Sequence, residues 1–79
     1  MARVLLFGRL ADLAGWRDSE IEAVSLSALR AALTATDSAL GEALAGPGVQ
    51  AAVDKVLVRA DVALTAGSEV AFLPPMSGG

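Results

Sequence analysis

The sequence predicts an α+β roll in which a mixed five-stranded sheet packs on one main helix, with short helices beside it. Three observations predict it. Short aliphatic runs open and close the chain, a leucine stripe at helical spacing occupies its middle, and the elements follow in the order β, β, α, α, β, β, β. A helical crossover between the first and last strands is right-handed in nearly all known cases, and it lays those strands parallel at the centre of the sheet.

Residues 3–7 (Arg-Val-Leu-Leu-Phe) are aliphatic and closed by Gly8, the mark of a strand buried on at least one face. Residues 10–14 can form one helical turn, stopped by Gly15. Residues 19–24 alternate polar and apolar, which predicts a half-solvated strand whose outer face carries Glu20 and Glu22. These two carboxylates read as a solvated strand face rather than an acid–base pair. Ser25 is a good N-cap for the main helix, which carries Leu26, Leu29 and Leu33 on one face. Asp37 or Ser38 caps a shorter helix with Leu40 and Leu44, and Gly46-Pro47-Gly48 ends it. The leucine stripes read as core. Residues 49–53 form the third strand, Asp54-Lys55 a tight turn, and residues 56–58 the fourth strand paired with the third. A type I′ turn favours Gly at its second position, so Lys55 is an unusual occupant. Residues 65–68 supply a turn before the last strand, 69–73.

At 79 residues the chain makes one small domain, which buries only about 60% of the surface its unfolded chain exposes. It has no Cys and no His, which removes disulfides, thiolate and common zinc sites, Ser-His-Asp and Cys-His arrangements and the usual neutral-pH base. Autonomous hydrolytic or metal-assisted catalysis is not expected, nor any bound cofactor or metal. The net charge is −3 and the six Lys and Arg residues are scattered, unlike the basic stripe of a nucleic-acid binder. The apolar run before Gly8-Arg9 is too short for a signal peptide, and no stretch approaches the ~18 apolar residues of a membrane span. A soluble, cytoplasmic protein without nucleic-acid or membrane partners is expected.

Alternation within the two central strands has a further consequence. If Val70 and Phe72 point at the helix, Ala71 and Leu73 point away; Leu5 and Phe7 likewise oppose Val4 and Leu6. Leu5, Phe7, Leu57 and Leu73 are therefore expected to form an exposed apolar patch, a partner interface.

The chain ends Pro74-Pro75-Met76-Ser77-Gly78-Gly79. Prolines lack an N–H and cannot extend the sheet, so they send the chain off as a stiff stem. At ~3.3 Å per residue, residues 74–79 reach up to ~20 Å, enough to enter another protein's active site while the body docks outside. A glycine pair has no Cβ to obstruct that entry. The C-terminal carboxylate thus reads as the working group: adenylation with ATP, then replacement of AMP by sulfur, makes it a thiocarboxylate sulfur donor.

The run Gly67-Ser68-Glu69-Val70-Ala71-Phe72-Leu73-Pro74-Pro75-Met76-Ser77-Gly78-Gly79 closely resembles the ending of the small subunits of molybdopterin synthase, ubiquitin-like β-grasp sulfur carriers. Val4-Leu5-Leu6-Phe7 and Ala51-Ala52-Val53 add to the resemblance, which covers the whole chain. Three positions depart from it: Ser68 stands where the family usually has Asp, Asp54-Lys55 replaces an Asn-led turn, and Leu73 replaces a frequent aromatic. The resemblance implies a single β-grasp domain with a flexible tail, 74–79. Gly79 would be adenylated by a ubiquitin-activating-like adenylyltransferase, which uses the ATP, and converted to the thiocarboxylate. Pro74, Pro75, Met76, Ser77 and Gly78 would deliver it to the synthase large subunit for the dithiolene of molybdopterin. This chain would then be a non-catalytic subunit, in a heterotetramer. Three alternatives stay open: a carrier for thiamine thiazole synthesis or tRNA thiolation, a modifier joined to lysines, and a plain interaction domain.

Overall fold

The computed structural model describes residues 1–75; Met76, Ser77, Gly78 and Gly79 lie outside the described residues. The elements are β1 (Ala2–Leu6), α1 (Arg9–Ala14), β2 (Asp18–Ile21), α2 (Leu26–Thr36), α3 (Ser38–Leu44), β3 (Gln50–Val53), β4 (Val56–Val58) and β5 (Glu69–Leu73). The strands lie in the order β2-β1-β5-β3-β4. β1 and β5 run parallel, and every other neighbouring pair is antiparallel. The architecture is the ubiquitin-like β-grasp roll, with the last strand in the middle of the sheet.

One face of that sheet makes the core. Val4 and Leu6 of β1, Val70 and Phe72 of β5 and Ala51 of β3 cluster with Leu26, Leu29 and Leu33 of α2, Leu40 and Leu44 of α3, and Leu10 of α1. Phe72 is fully buried. The Arg30 guanidinium lies 5.3 Å from its ring centroid and donates to the Leu44 carbonyl at 3.3 Å, so a cation closes the core's edge while its head reaches a helix end.

The helix ends follow the expected chemistry. The Ser25 hydroxyl accepts from the Ala28 N–H at 3.1 Å, and the Asp37 carboxylate accepts from the Leu40 N–H at 3.1 Å, each satisfying a donor the helix leaves open. Gly15 ends α1 in the left-handed region at φ 83°.

One segment differs from expectation. The second strand stops at Ile21 rather than running to residue 24, and Val24 is 77% exposed. The chain there leaves β1 for another partner: the Leu64 N–H donates to the Val24 carbonyl at 2.9 Å, the Leu26 N–H donates to the Val62 carbonyl at 2.9 Å, and Ser25 bridges Ala63. Both oxygens of Asp61 accept from Ser27, one from its N–H and one from its hydroxyl, each at 2.8 Å. These bonds pin the loop after β4 to the start of α2 and bury Leu64. The pull of a backbone partner outweighs the alternation that continues past Ile21.

The Asp54-Lys55 turn is well formed. Both residues have positive φ, 49° and 72°, as a type I′ turn requires. Asp tolerates that region, and here its carboxylate also accepts from the Glu69 N–H at 2.9 Å while its own N–H donates to the Glu69 carbonyl at 2.8 Å. The hairpin is thereby tied to the start of β5. Ser68, the other departure next to β5, is buried, and its hydroxyl accepts from the Thr65 N–H at 2.9 Å.

Among the described residues no helix is long and apolar enough to cross a membrane.

Candidate functional site

β5 divides its side chains between two fates. Val70 and Phe72 enter the core, whereas Ala71 and Leu73 lie on the opposite face with the residues in register beside them. One cross-strand row on that face reads Asp18, Leu5, Ala71, Ala52, Leu57. Phe7 and Leu73 continue the same alternation toward the C-terminal end of β5. The four residues expected as a partner interface thus share one face: Phe7 and Leu57 are 45% and 57% exposed, and Leu5 and Leu73 are half-buried. The core-lining side chains of α1, α2 and α3 all sit with the inward row, and none of these four belongs to that cluster. Ala71 and Ala52, small and central, keep the middle of the row low between Leu5 and Leu57. Sequence alternation alone did not bring Ala52 into the row; that needed the register of β3 against β5.

A charged row borders the apolar one. Arg3 pairs with Glu20 on one side and Glu69 on the other in register, and its guanidinium grips Asp18, with Nε 3.1 Å from each carboxylate oxygen. The Arg3 side-chain hydrogen bond holds the Asp18 carboxyl below the usual carboxylate range, and Asp18 raises Arg3 in return. Both side chains stand in solvent, so the pair orients the rim more than it stabilises the fold. An apolar centre with a polar border suits recognition of another protein.

The end of β5 is the second half of the site. The Phe7 N–H donates to the Phe72 carbonyl at 3.3 Å, and one residue beyond Leu73 the ladder meets Pro74, which has no N–H to offer. Pro74 lies against Gly8, just after β1, and Pro75 against Gly48, just before β3. Pro75 also lines a cleft of about 600 Å³ on the helix side, beside Arg9, Leu13, Pro47 and Val49. Pro74 and Pro75, expected to begin the delivery stem, therefore leave the end of β5 between Gly8 and Gly48. The expected reactive residue Gly79, and Met76, Ser77 and Gly78 before it, lie outside the described residues.

Chemically the described residues offer recognition. The patch contains no titratable side chain, and among the described residues no group of His, Cys, Asp or Glu could hold a metal ion. Sequence reasoning passed over Gly8 and Gly48 as components of the exit. Their signal was topological: each flanks a strand that flanks β5.

Comparison with known proteins bears on the whole chain. Residues 4–79 match the ThiS family. The chain is similar to the molybdopterin synthase sulfur carrier subunit of Escherichia coli (strain K12), 38% identical over 81 residues that cover all of both chains. Its structure is similar to SAMP1 from Haloferax volcanii, with a TM-score of 0.86 and 25% identity over 99% of this chain and 98% of that one. It is also similar to the small archaeal modifier protein 1 of Methanosarcina acetivorans, with a TM-score of 0.85 and 20% identity over 99% and 95%, a likeness of fold alone.

Proposed function

The chain belongs to the ThiS family, and from that membership we propose that it is the sulfur carrier subunit of a molybdopterin synthase, its C-terminal carboxylate being the group that carries sulfur. The end-to-end similarity to a carrier of that kind, through the Pro74-Pro75-Met76-Ser77-Gly78-Gly79 run, carries the reading. The Gly79 carboxylate attacks the α-phosphorus of ATP on an adenylyltransferase, and pyrophosphate leaves. Hydrosulfide from the sulfur source then attacks the acyl carbon, AMP leaves and a proton is lost, giving a thiocarboxylate, a far better nucleophile than the carboxylate it replaces.

The rest of the chain positions that group. Leu5, Phe7, Leu57 and Leu73 dock on the synthase large subunit, and residues 74–78 carry the terminus into its active site, where the sulfur becomes part of the molybdopterin dithiolene. The large subunit supplies the catalytic side chains; this chain has neither His nor Cys to contribute. It acts as a non-catalytic subunit and binds no cofactor of its own, ATP being consumed by the activating enzyme.

The likeness to SAMP1 from Haloferax volcanii favours a second reading, a modifier whose terminus is joined to lysines of other proteins. Intact mass measurement after incubation with ATP, the adenylyltransferase and a sulfur source separates the two. Oxygen-to-sulfur exchange at Gly79 supports the carrier, and adducts on target lysines with no exchange overturn it.

A further inference from the structure

We propose that Gly8 and Gly48 are positioning residues, a pair of notches that fix the direction in which the C-terminal stem leaves the sheet. The inference rests on the carrier reading for its functional consequence and on geometry for the rest. β5 lies between β1 and β3, so the stem leaves between Gly8, two residues beyond the end of β1, and Gly48, two residues before the start of β3. Both glycines have positive φ, 57° at Gly8 and 82° at Gly48.

The space a side chain would take at each is already filled by the stem. A Cβ at Gly48 would stand 2.7 Å from Pro75 Cβ and 3.5 Å from its Cα; a Cβ at Gly8 would stand 3.0 Å from Pro74 Cγ. Carbon atoms attract at about 3.5–4.0 Å, so at Gly48 either the β3 entry or the stem has to move by most of an ångström. The two contacts differ in kind. At Gly8 the obstacle is the outer atom of a proline ring that can repucker, whereas at Gly48 it is an atom fixed to the backbone. Gly48 therefore sets the stem's course more firmly than Gly8 does.

The consequence is a lever. Pro75 is fixed by its ring at φ near −65°, so a shift at its Cα changes the direction in which the chain leaves Pro75. Reacting groups displaced by about 1 Å can lose about 100-fold in rate even when the change lies far from the chemistry. Docking through Leu5, Phe7, Leu57 and Leu73 does not depend on the notches, so binding and delivery should separate.

Two other glycines control for backbone strain. Gly67 and Gly15 have φ of 89° and 83°, yet a Cβ at either meets nothing within 4 Å. G67A and G15A therefore impose the left-handed penalty without touching the stem.

The test compares G48A, G8A, G67A and G15A with the natural chain, in the presence of the large subunit and its precursor. G48A should lower turnover at saturating carrier by about tenfold or more while the Kd for the large subunit stays within about twofold, and G8A should do the same more weakly. G67A and G15A should stay close to the natural chain in both. In NMR spectra of the free protein, Gly48 Hα to Pro75 Hβ cross-peaks should be present in the natural chain and in G67A, and the Pro75 proton shifts should move in G48A alone. Equal turnover in G48A and G67A, whether both high or both low, overturns the proposal, as does the absence of the cross-peaks from the natural chain. If the natural chain itself takes up no sulfur, the carrier reading fails, and the cross-peaks still decide whether the notches hold the stem.

Discussion

The two faces of β5 come from five consecutive residues and meet opposite requirements. Val70 and Phe72 are sealed among helix leucines, while Ala71 and Leu73, one step away in sequence, lie in a face with no helix core against it. The inward residues hold the domain together, and the outward ones are those that the proposed function assigns to docking on a large subunit. Because the side chains alternate strictly, a change to one set need not disturb the other. Stability and recognition should therefore be separable by single substitutions, with delivery of the terminus as a third property independent of both.

The largest effect should come from the C-terminal residue that the proposed function makes reactive. Deleting Gly79, or adding one residue after it, should abolish sulfur transfer in a reconstituted assay while thermal stability and affinity for the large subunit stay unchanged. Full activity in either variant would remove the terminus from the mechanism. On the inward face, Phe72→Ala should cost about 3–5 kcal/mol in urea unfolding, since the cavity lies at the centre of the core and also strips Arg30 of its ring. For a domain this small such a loss can unfold most of the population. A milder Phe72→Leu keeps the fold testable and should still be destabilised, and equal stability would show that the inward row is not the core's centre. On the outward face, Phe7→Asp should change unfolding by no more than about 0.5 kcal/mol but weaken the large subunit's binding by about 2 kcal/mol, roughly 30-fold, in calorimetry. Unchanged affinity would move the interface elsewhere and break the comparison.

Much of this contrast was legible in the sequence. Alternation in residues 3–7 and 69–73 separated the faces, and the crossover rule placed the two strands together. What alternation cannot express is who the neighbours are. Val24 continues a strand-like pattern but is drawn away by Leu64, a partner 40 residues further along. Gly41 sits inside α3, where propensity alone would count it a defect, yet a Cβ there would collide with the Thr34 side chain of α2. Its value lies in a close helix approach visible only once α2 and α3 are packed. The site divides the same way: the apolar patch followed from local pattern, whereas the notches at Gly8 and Gly48 depend on β5 lying between β1 and β3.

The smallest prediction concerns acid, and it sharpens where the two faces differ electrostatically. The buried core cluster on the inward face is wholly apolar among the described residues, while the outward rim carries Asp18 and the loop beside α2 carries Asp61. Asp61 is held below the ordinary carboxylate range first by the Ser27 N–H, then by the Ser27 hydroxyl, and Asp18 by Arg3. Each carboxyl is therefore more acidic folded than unfolded. Its stabilisation is present above the unfolded value of about 3.9 and disappears as pH falls through the lower folded value. Urea midpoints measured from pH 6 downward should stay level to about pH 4 and then decline. Both side chains are solvent-exposed, so the decline should be shallow. Asp61→Asn keeps an acceptor for the Ser27 N–H but cannot titrate, and should flatten the decline; Asp18→Asn should flatten it less, because the Arg3 pair is more readily replaced by water. A decline of unchanged slope in both variants would place the acid-sensitive groups elsewhere and leave the outward rim with a role in recognition alone.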